Sequence, residues 1–400
     1  MYSSLPESRL THEHNGLAIY FVWFYMFLFA WHLLNSMDLA YRSGMIGETE
    51  YLNIDIMGQT GRISLNRPKA LHALTTAMCH QIRQTLETWW HDDAIKQIII
   101  CATEGRAFCA GGDIREALHM ITYPEPDMPD YFEAEYSMDM VIAGYPKPVI
   151  SLANGLTMGG GAGLLFNASH PVITDQIDFT MPETGIGLFP DVAASLFLRR
   201  ATGSIGLYIG LTGTRIGYGD MIGAGLMDSY IHHDDLADVM AAICAMTDAD
   251  HLDDILASFA RYDSEPALLM PHLDWINDML SHDRLEDIRD QAAMSDHVLA
   301  APLHQSLTRR CPLSLKTTHR LLAGKNPPDG YISALLLDYC LAMRILAYPD
   351  FAEGVRAAVI DKDQWPVWSH QCLEDVSDTM IDDLFDDRDR PRFAVPSVLL

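Results

Sequence analysis

At 400 residues, about half apolar and a fifth charged, the chain can bury a sizeable core, which excludes a disordered or collagen-like protein. Lys and Arg total 27 against 54 for Asp and Glu. The resulting formal charge of −27 excludes electrostatic capture of nucleic acid and requires any anionic ligand to be met by local cations or backbone amides.

Residues 17–34, LAIYFVWFYMFLFAWHLL, form an uncharged aromatic-rich run of about 27 Å as a helix, just short of a hydrocarbon core. The stretch before it mixes Arg9 with Glu7 and Glu13, unlike the basic start of a secretory signal. Two readings remain: a membrane anchor, or an extension upstream of a true start at Met37 or Met45. The second is preferred, so no membrane partner is expected unless 17–34 is a real anchor. Residues 46–232 then alternate β-type runs (62–66, 97–102, 148–153, 171–174) with helical ones (75–90, 130–144), an order that predicts an α/β core with crossover connections. From 233 to 400 the pattern is helical, as over 234–247, 284–299 and 332–347. It ends in an Asp-rich tail from Glu374 to Asp389, and no linker sets this region apart as a tethered domain.

Several chemistries are excluded by spacing. The glycines at 159, 160, 161 and 163 fail the dinucleotide pattern G-x-G-x-x-G in every register, and neither a phosphate-binding P-loop nor H-E-x-x-H is present. No G-x-S-x-G elbow supplies a serine nucleophile. His232 and His233 beside Asp234 and Asp235 read as a solvated helix start, not a metal site. The seven cysteines are odd in number, widely spaced and lack a C-x-x-C pair, which points to reduced thiols in a cytoplasmic protein.

The chemistry left uses backbone amides and carboxylates. Cys109-Ala-Gly-Gly-Asp113 and Met158-Gly-Gly-Gly161 each enter a helical pattern, and a pair of N–H groups at helix starts is what an acyl-transfer site needs to hold a thioester oxygen. Glu183, in a Pro- and Gly-bounded turn with apolar neighbours, reads as a carboxylate with raised proton affinity or as an exposed turn residue. Asp191, before Val192-Ala193-Ala194, reads equally as a helix N-cap.

Taken together, these blocks resemble the 3-hydroxyisobutyryl-CoA hydrolase family within the crotonase (enoyl-CoA hydratase/isomerase) superfamily, over about residues 48–384. The resemblance is carried by LNRPKALHAL (65–74), AFCAGGDIR (107–115), GLTMGGG (155–161), MPETGIGLFPD (181–191) and GVRAAVIDKD (354–363) with Trp365 and Trp368. It implies a core of stacked sheets built from repeated ββα units, followed by helices that complete the site. It also implies an oxyanion hole at the amides of Gly112 and Gly160, Glu183 as the catalytic carboxylate and Asp191 as the acid near a substrate hydroxyl. Substrate contacts are implied at Glu135, at Lys69 and Ala70 in loop 67–71, at Ala110 and Gly111, and at Asp113.

The reaction so implied is hydrolysis of 3-hydroxyisobutyryl-CoA, or a close β-hydroxyacyl-CoA, in valine degradation. CoA is then part of the substrate, and no cofactor or metal is needed. Two departures from the family pattern stand out. Hydratases of the superfamily resemble one another in a first catalytic Glu where this chain has Gly163, and His72 replaces a usual Asn. An enoyl-CoA hydratase or isomerase, and a tethered acyl-CoA binding protein, are the alternative readings; oligomeric state is left open.

Overall fold

The computed structural model describes residues 50–123, 131–246, 251–386 and 393–400. The apolar run 17–34 and the end of the Asp-rich tail lie outside the described residues.

Five strands form the larger sheet: β1 (Leu52–Met57), β2 (Thr60–Leu65), β3 (Gln97–Ala102), β5 (Val149–Ala153) and β7 (His170–Ile173). β1 pairs antiparallel with β2, and every later pairing is parallel. β3 explains why its sequence, QIIICA, is a continuous apolar run without alternation: both faces are buried. Ile98 and Ile100 join the main core with Met78, Ile82 and Leu86 of helix α1 (Thr76–Trp89), while Ile99 and Cys101 join a second cluster with Val239 and Ile243 of the Leu236–Ala245 helix.

A smaller sheet holds three parallel strands of only three residues each, β4 (Ala107–Cys109), β6 (Leu156–Met158) and β8 (Asp178–Thr180). Segments this short carry no periodicity to read. Each follows closely on a strand of the larger sheet, so β3, β5 and β7 each hand the chain on to the smaller sheet, whereas β1 and β2 pair within the larger one. Helices α2 (Ile114–Thr122) and α3 (Tyr131–Ala143) follow β4, α4 (Gly160–Phe166) follows β6, and a 3₁₀ turn with the Ala194–Arg200 helix follows β8. Asp113 caps α2, accepting from the amides of Arg115 and Glu116.

The later helices pack on this core. Gly187 and Gly354 show how closely: a β-carbon on Gly187 would lie 2.5 Å from the backbone of Asp350, and one on Gly354 would lie 2.4 Å from that of Ile186. The MPETGIGLFPD and GVRAAVIDKD blocks therefore meet backbone to backbone, which only glycine allows. The second block contains a π-helical turn, Arg356–Ile360. Among the described residues no single helix is long and apolar enough to cross a membrane.

Candidate active site

Because β4 and β6 are parallel neighbours, the glycine blocks that follow them leave the small sheet side by side. Gly111 (φ +83°) and Gly159 (φ +52°) turn through the left-handed region, and a β-carbon on Gly111 would sit 2.9 Å from the Met158 carbonyl oxygen and 3.2 Å from the Gly160 nitrogen. Leu74 bridges the first block, its amide donating to Gly111 O (2.8 Å) and its carbonyl accepting from Asp113 N–H (2.7 Å). That pairing leaves the intervening Gly112 N–H outside it. Gly160 opens helix α4, so its N–H is one of the donors a helix start cannot satisfy internally. Two amide donors thus stand on adjacent backbones.

Three buried carboxyl groups surround them. Glu183 opens a 3₁₀ turn just after β8 and is 4% exposed, so the exposed-turn reading fails. A β-carbon on Gly159 would lie 3.2 Å from Glu183 Oε1, and one on Gly160 would lie 2.0 Å from Oε1 of Glu135, which projects from α3. Asp191 is not a side-chain helix cap: the Ala194–Arg200 helix is capped at Ala193 with no side-chain bond, and Asp191 Oδ2 instead accepts from Tyr136 Oη at 2.5 Å. Among the described residues, Glu183 Oε2 and Glu135 Oε1 are buried without a protein hydrogen-bond partner.

Burial, followed by the charge of Asp191, pushes Glu183 well above the usual carboxylate range and Glu135 to about 8; burial brings Asp191 to about 6. Asp139 and Asp338, both fully buried, are raised by the same desolvation. A carboxyl whose folded pKa exceeds its unfolded value holds more protons in the native state. Its stabilising contribution is complete below about pH 4 and is lost as pH rises through the folded value. Five such groups predict a melting temperature that falls as pH rises from about 4, through the Asp191 value of about 6 and the Glu135 value of about 8, measurable by calorimetry; a rise over that range would contradict the assignment.

The carboxyls and glycines line one cavity of about 800 Å³ together with Lys69, Ala70, Ala110 and Asp113, so the predicted site residues converge on a single space. Lys69 is exposed at its rim, in the turn Pro68–Ala70. The side chain of Asp113 is occupied by its helix cap and by Arg67 at 2.8 Å, so this residue shapes the wall. His72 resolves the departure noted above. It sits in the left-handed region (φ +57°), fully buried, and its Nδ1 accepts from the Arg67 amide at 3.0 Å, a bond that an Asn carbonyl also makes well.

Sequence reasoning missed four residues. Tyr136 holds Asp191. Asp338, on the Tyr331–Ile345 helix, accepts from the Ala193 amide at 2.7 Å and clamps the left-handed turn at Val192 (φ +51°) and Ala193 (φ +67°) that carries Asp191 inward. Two consecutive non-glycine residues in that region, one β-branched, are strained and need such support. Asp139, one helical turn after Glu135, fills the space that a side chain at Gly163 would need: a β-carbon there would lie 2.7 Å from Asp139 Oδ2. Arg310 contacts the Glu183 turn from the helical region. Each lies far from its target in sequence or on another element, so no local pattern marks it. Among the described residues, Asp175, His232 and His233 bring potential metal-ligand atoms within 4.8 Å of one another; none of the three lines this cavity.

Known proteins resemble this chain in sequence and in fold. Residues 60–385 fit the profile of the enoyl-CoA hydratase/isomerase family. The chain is 36% identical over 334 residues to the mitochondrial 3-hydroxyisobutyryl-CoA hydrolase of Xenopus laevis, covering 82% of this chain and 86% of the relative. A solved enoyl-CoA hydratase from Rhodobacter sphaeroides 2.4.1 superimposes with a TM-score of 0.76 at 37% identity, covering 84% of this chain and 97% of that one. A carnitinyl-CoA dehydratase from Mycobacterium thermoresistibile gives 0.78 at 28% identity, covering 87% and 100%. The cytoplasmic expectation is overturned, since the hydrolase relatives are mitochondrial enzymes. The cysteines form no disulfide, but reduced thiols separate oxidising from reducing compartments and do not tell one reducing compartment from another.

Proposed function

The chain belongs to the enoyl-CoA hydratase/isomerase family and, within it, to the 3-hydroxyisobutyryl-CoA hydrolases; from this we propose that it hydrolyses 3-hydroxyisobutyryl-CoA to the free acid and CoA, a step of valine degradation. The observation that carries the reading is the approach of the Glu183 carboxyl to the paired glycine backbones, with Glu135 against the second of them.

In this reaction the amides of Gly112 and Gly160 hold the thioester oxygen and stabilise the charge that develops on it, worth about 3 kcal/mol per donor. Glu183 acts in its ionised form. It either takes the proton of the attacking water or attacks the carbonyl carbon to give an anhydride that water then cleaves; by both routes the C–S bond breaks and the thiolate leaves with a proton. Asp191, oriented by Tyr136, accepts the substrate 3-hydroxyl. The loops bearing Lys69, Ala70, Ala110 and Gly111 carry the CoA moiety along the cavity, and no metal or redox cofactor enters the reaction.

A hydratase reading is weakened at Gly163, whose missing side chain takes the place of the family's first catalytic Glu and whose space is occupied by Asp139. The test is thiol release by the full chain from 3-hydroxyisobutyryl-CoA and from isobutyryl-CoA. Release is expected from the first, with kcat/KM lower by about 10²-fold or more for the second, because a buried group left without its hydroxyl partner disfavours the analogue. Hydration of crotonyl-CoA with no thiol release from either thioester would overturn the proposal.

A further inference from the structure

The Glu183 turn is held from behind by a guanidinium supplied from the helical region. Arg310 follows the Ala300–Arg309 helix, and its Nη1 donates both to the Pro182 carbonyl oxygen (3.1 Å) and to Thr184 Oγ1 (2.9 Å), the two residues that flank Glu183. The next amide, Cys311 N–H, donates to the Thr184 carbonyl at 3.1 Å. Two glycines make room for the group: a β-carbon on Gly185 would lie 3.1 Å from Nη1, and one on Gly213 would lie 2.7 Å from Nη2.

Even a partly buried arginine is costly unless its charge is used. Burial lowers Arg310 to about 10, so it stays cationic at neutral pH, and Glu183 is the anion that favours its charged form. The groups acting on Glu183 are Asp191 and Glu135, which oppose its ionisation, and Arg310, which favours it. Asp350, across the backbone from Gly187, spends both carboxyl oxygens on Ser369. The rear of Arg310 is open: with Arg309, Gln305, Gly185 and Trp368 it lines a second cavity of about 370 Å³.

We propose that Arg310 is a positioning residue for this reaction, bracketing Glu183 through Pro182 and Thr184 and holding its carboxylate against the negative field of Asp191 and Glu135. The proposal rests on the catalytic reading of Glu183. It separates two contributions, fork geometry and charge, and the second cavity provides a route by which a small cation can replace the side chain.

The test follows thiol release from 3-hydroxyisobutyryl-CoA by the full chain and by Arg310→Ala, Arg310→Lys and Thr184→Val, each checked for folding by its melting temperature. Arg310→Ala is expected to lower kcat by about 10²-fold with KM little changed, the scale of a misplaced reacting group, and methylguanidinium to restore about tenfold of that loss. The acid limb of the pH profile should move to higher pH in Arg310→Ala and stay in place in Arg310→Lys, which keeps the charge but not the fork. A folded Arg310→Ala with kcat within about threefold of the parent, or with a loss that methylguanidinium leaves untouched, would overturn the proposal. If Arg310→Ala does not fold, Thr184→Val and Arg310→Lys decide it, since both break the bracket and unchanged kcat in both would overturn it. An unmodified chain that releases no thiol indicts the hydrolase reading, a failure seen without any variant.

Discussion

Glu183→Gln is expected to lower thiol release from 3-hydroxyisobutyryl-CoA by about 10³- to 10⁴-fold while leaving CoA thioester binding close to that of the parent. The amide is nearly isosteric, so the turn Glu183–Gly185 and its backbone bonds to Ile186 and Leu188 are retained. What is lost is the ionised oxygen, which neither a base nor a nucleophile mechanism can do without. Stability should not fall. A carboxyl whose pKa is raised by burial and by Asp191 is, once ionised, a cost to the fold, so the neutral amide should melt at the same temperature or higher above pH 7. Thiol release within tenfold of the parent would remove Glu183 from the chemical step.

Gly160→Ala is expected to disturb the oxyanion donors through a single methyl. Its β-carbon would lie 2.0 Å from Glu135 Oε1 and 3.4 Å from Leu74 Cδ1, so the carboxyl of Glu135 must swing away or the start of α4 must shift, and either re-aims the Gly160 N–H. Displacing one oxyanion donor costs about 10²- to 10³-fold in kcat. The collision also predicts non-additivity. Adding Glu135→Ala to Gly160→Ala removes the obstructing carboxyl, so the double variant should be more active than the product of the two single effects, a coupling that a double-mutant cycle measures directly. Strict additivity of the two losses would show that the carboxyl of Glu135 does not press on this backbone.

Readability from sequence follows the range of the interaction concerned. The glycine blocks could be read because their requirement is local: a left-handed turn at Gly111 and Gly159, and backbone approach too close for a β-carbon, leave a mark on composition wherever they occur. Strands β3 and β5 of the larger sheet could be read because five or six residues buried on both faces make a mainly apolar run. The three-residue strands of the smaller sheet could not, and yet they bring the two glycine blocks side by side. Asp191 shows the same limit at one residue. Its local context suits a helix cap, and only the packing of α3 reveals Tyr136 as its partner at 2.5 Å.

By itself the sequence determined the α/β order, the helical region after it, the family pattern and the candidate carboxylates and amides, because these depend on residue type at short spacing. It did not determine the compartment, for which reduced cysteines carry too little information. Only the tertiary structure decided that Glu135, Glu183 and Asp191 are buried together, which raises their proton affinities. It alone decided that Asp338 and Arg310 reach back from the helical region to hold the turns that carry two of them. The physical reason is that desolvation and hydrogen bonding act over a few ångströms of space, whatever the separation along the chain.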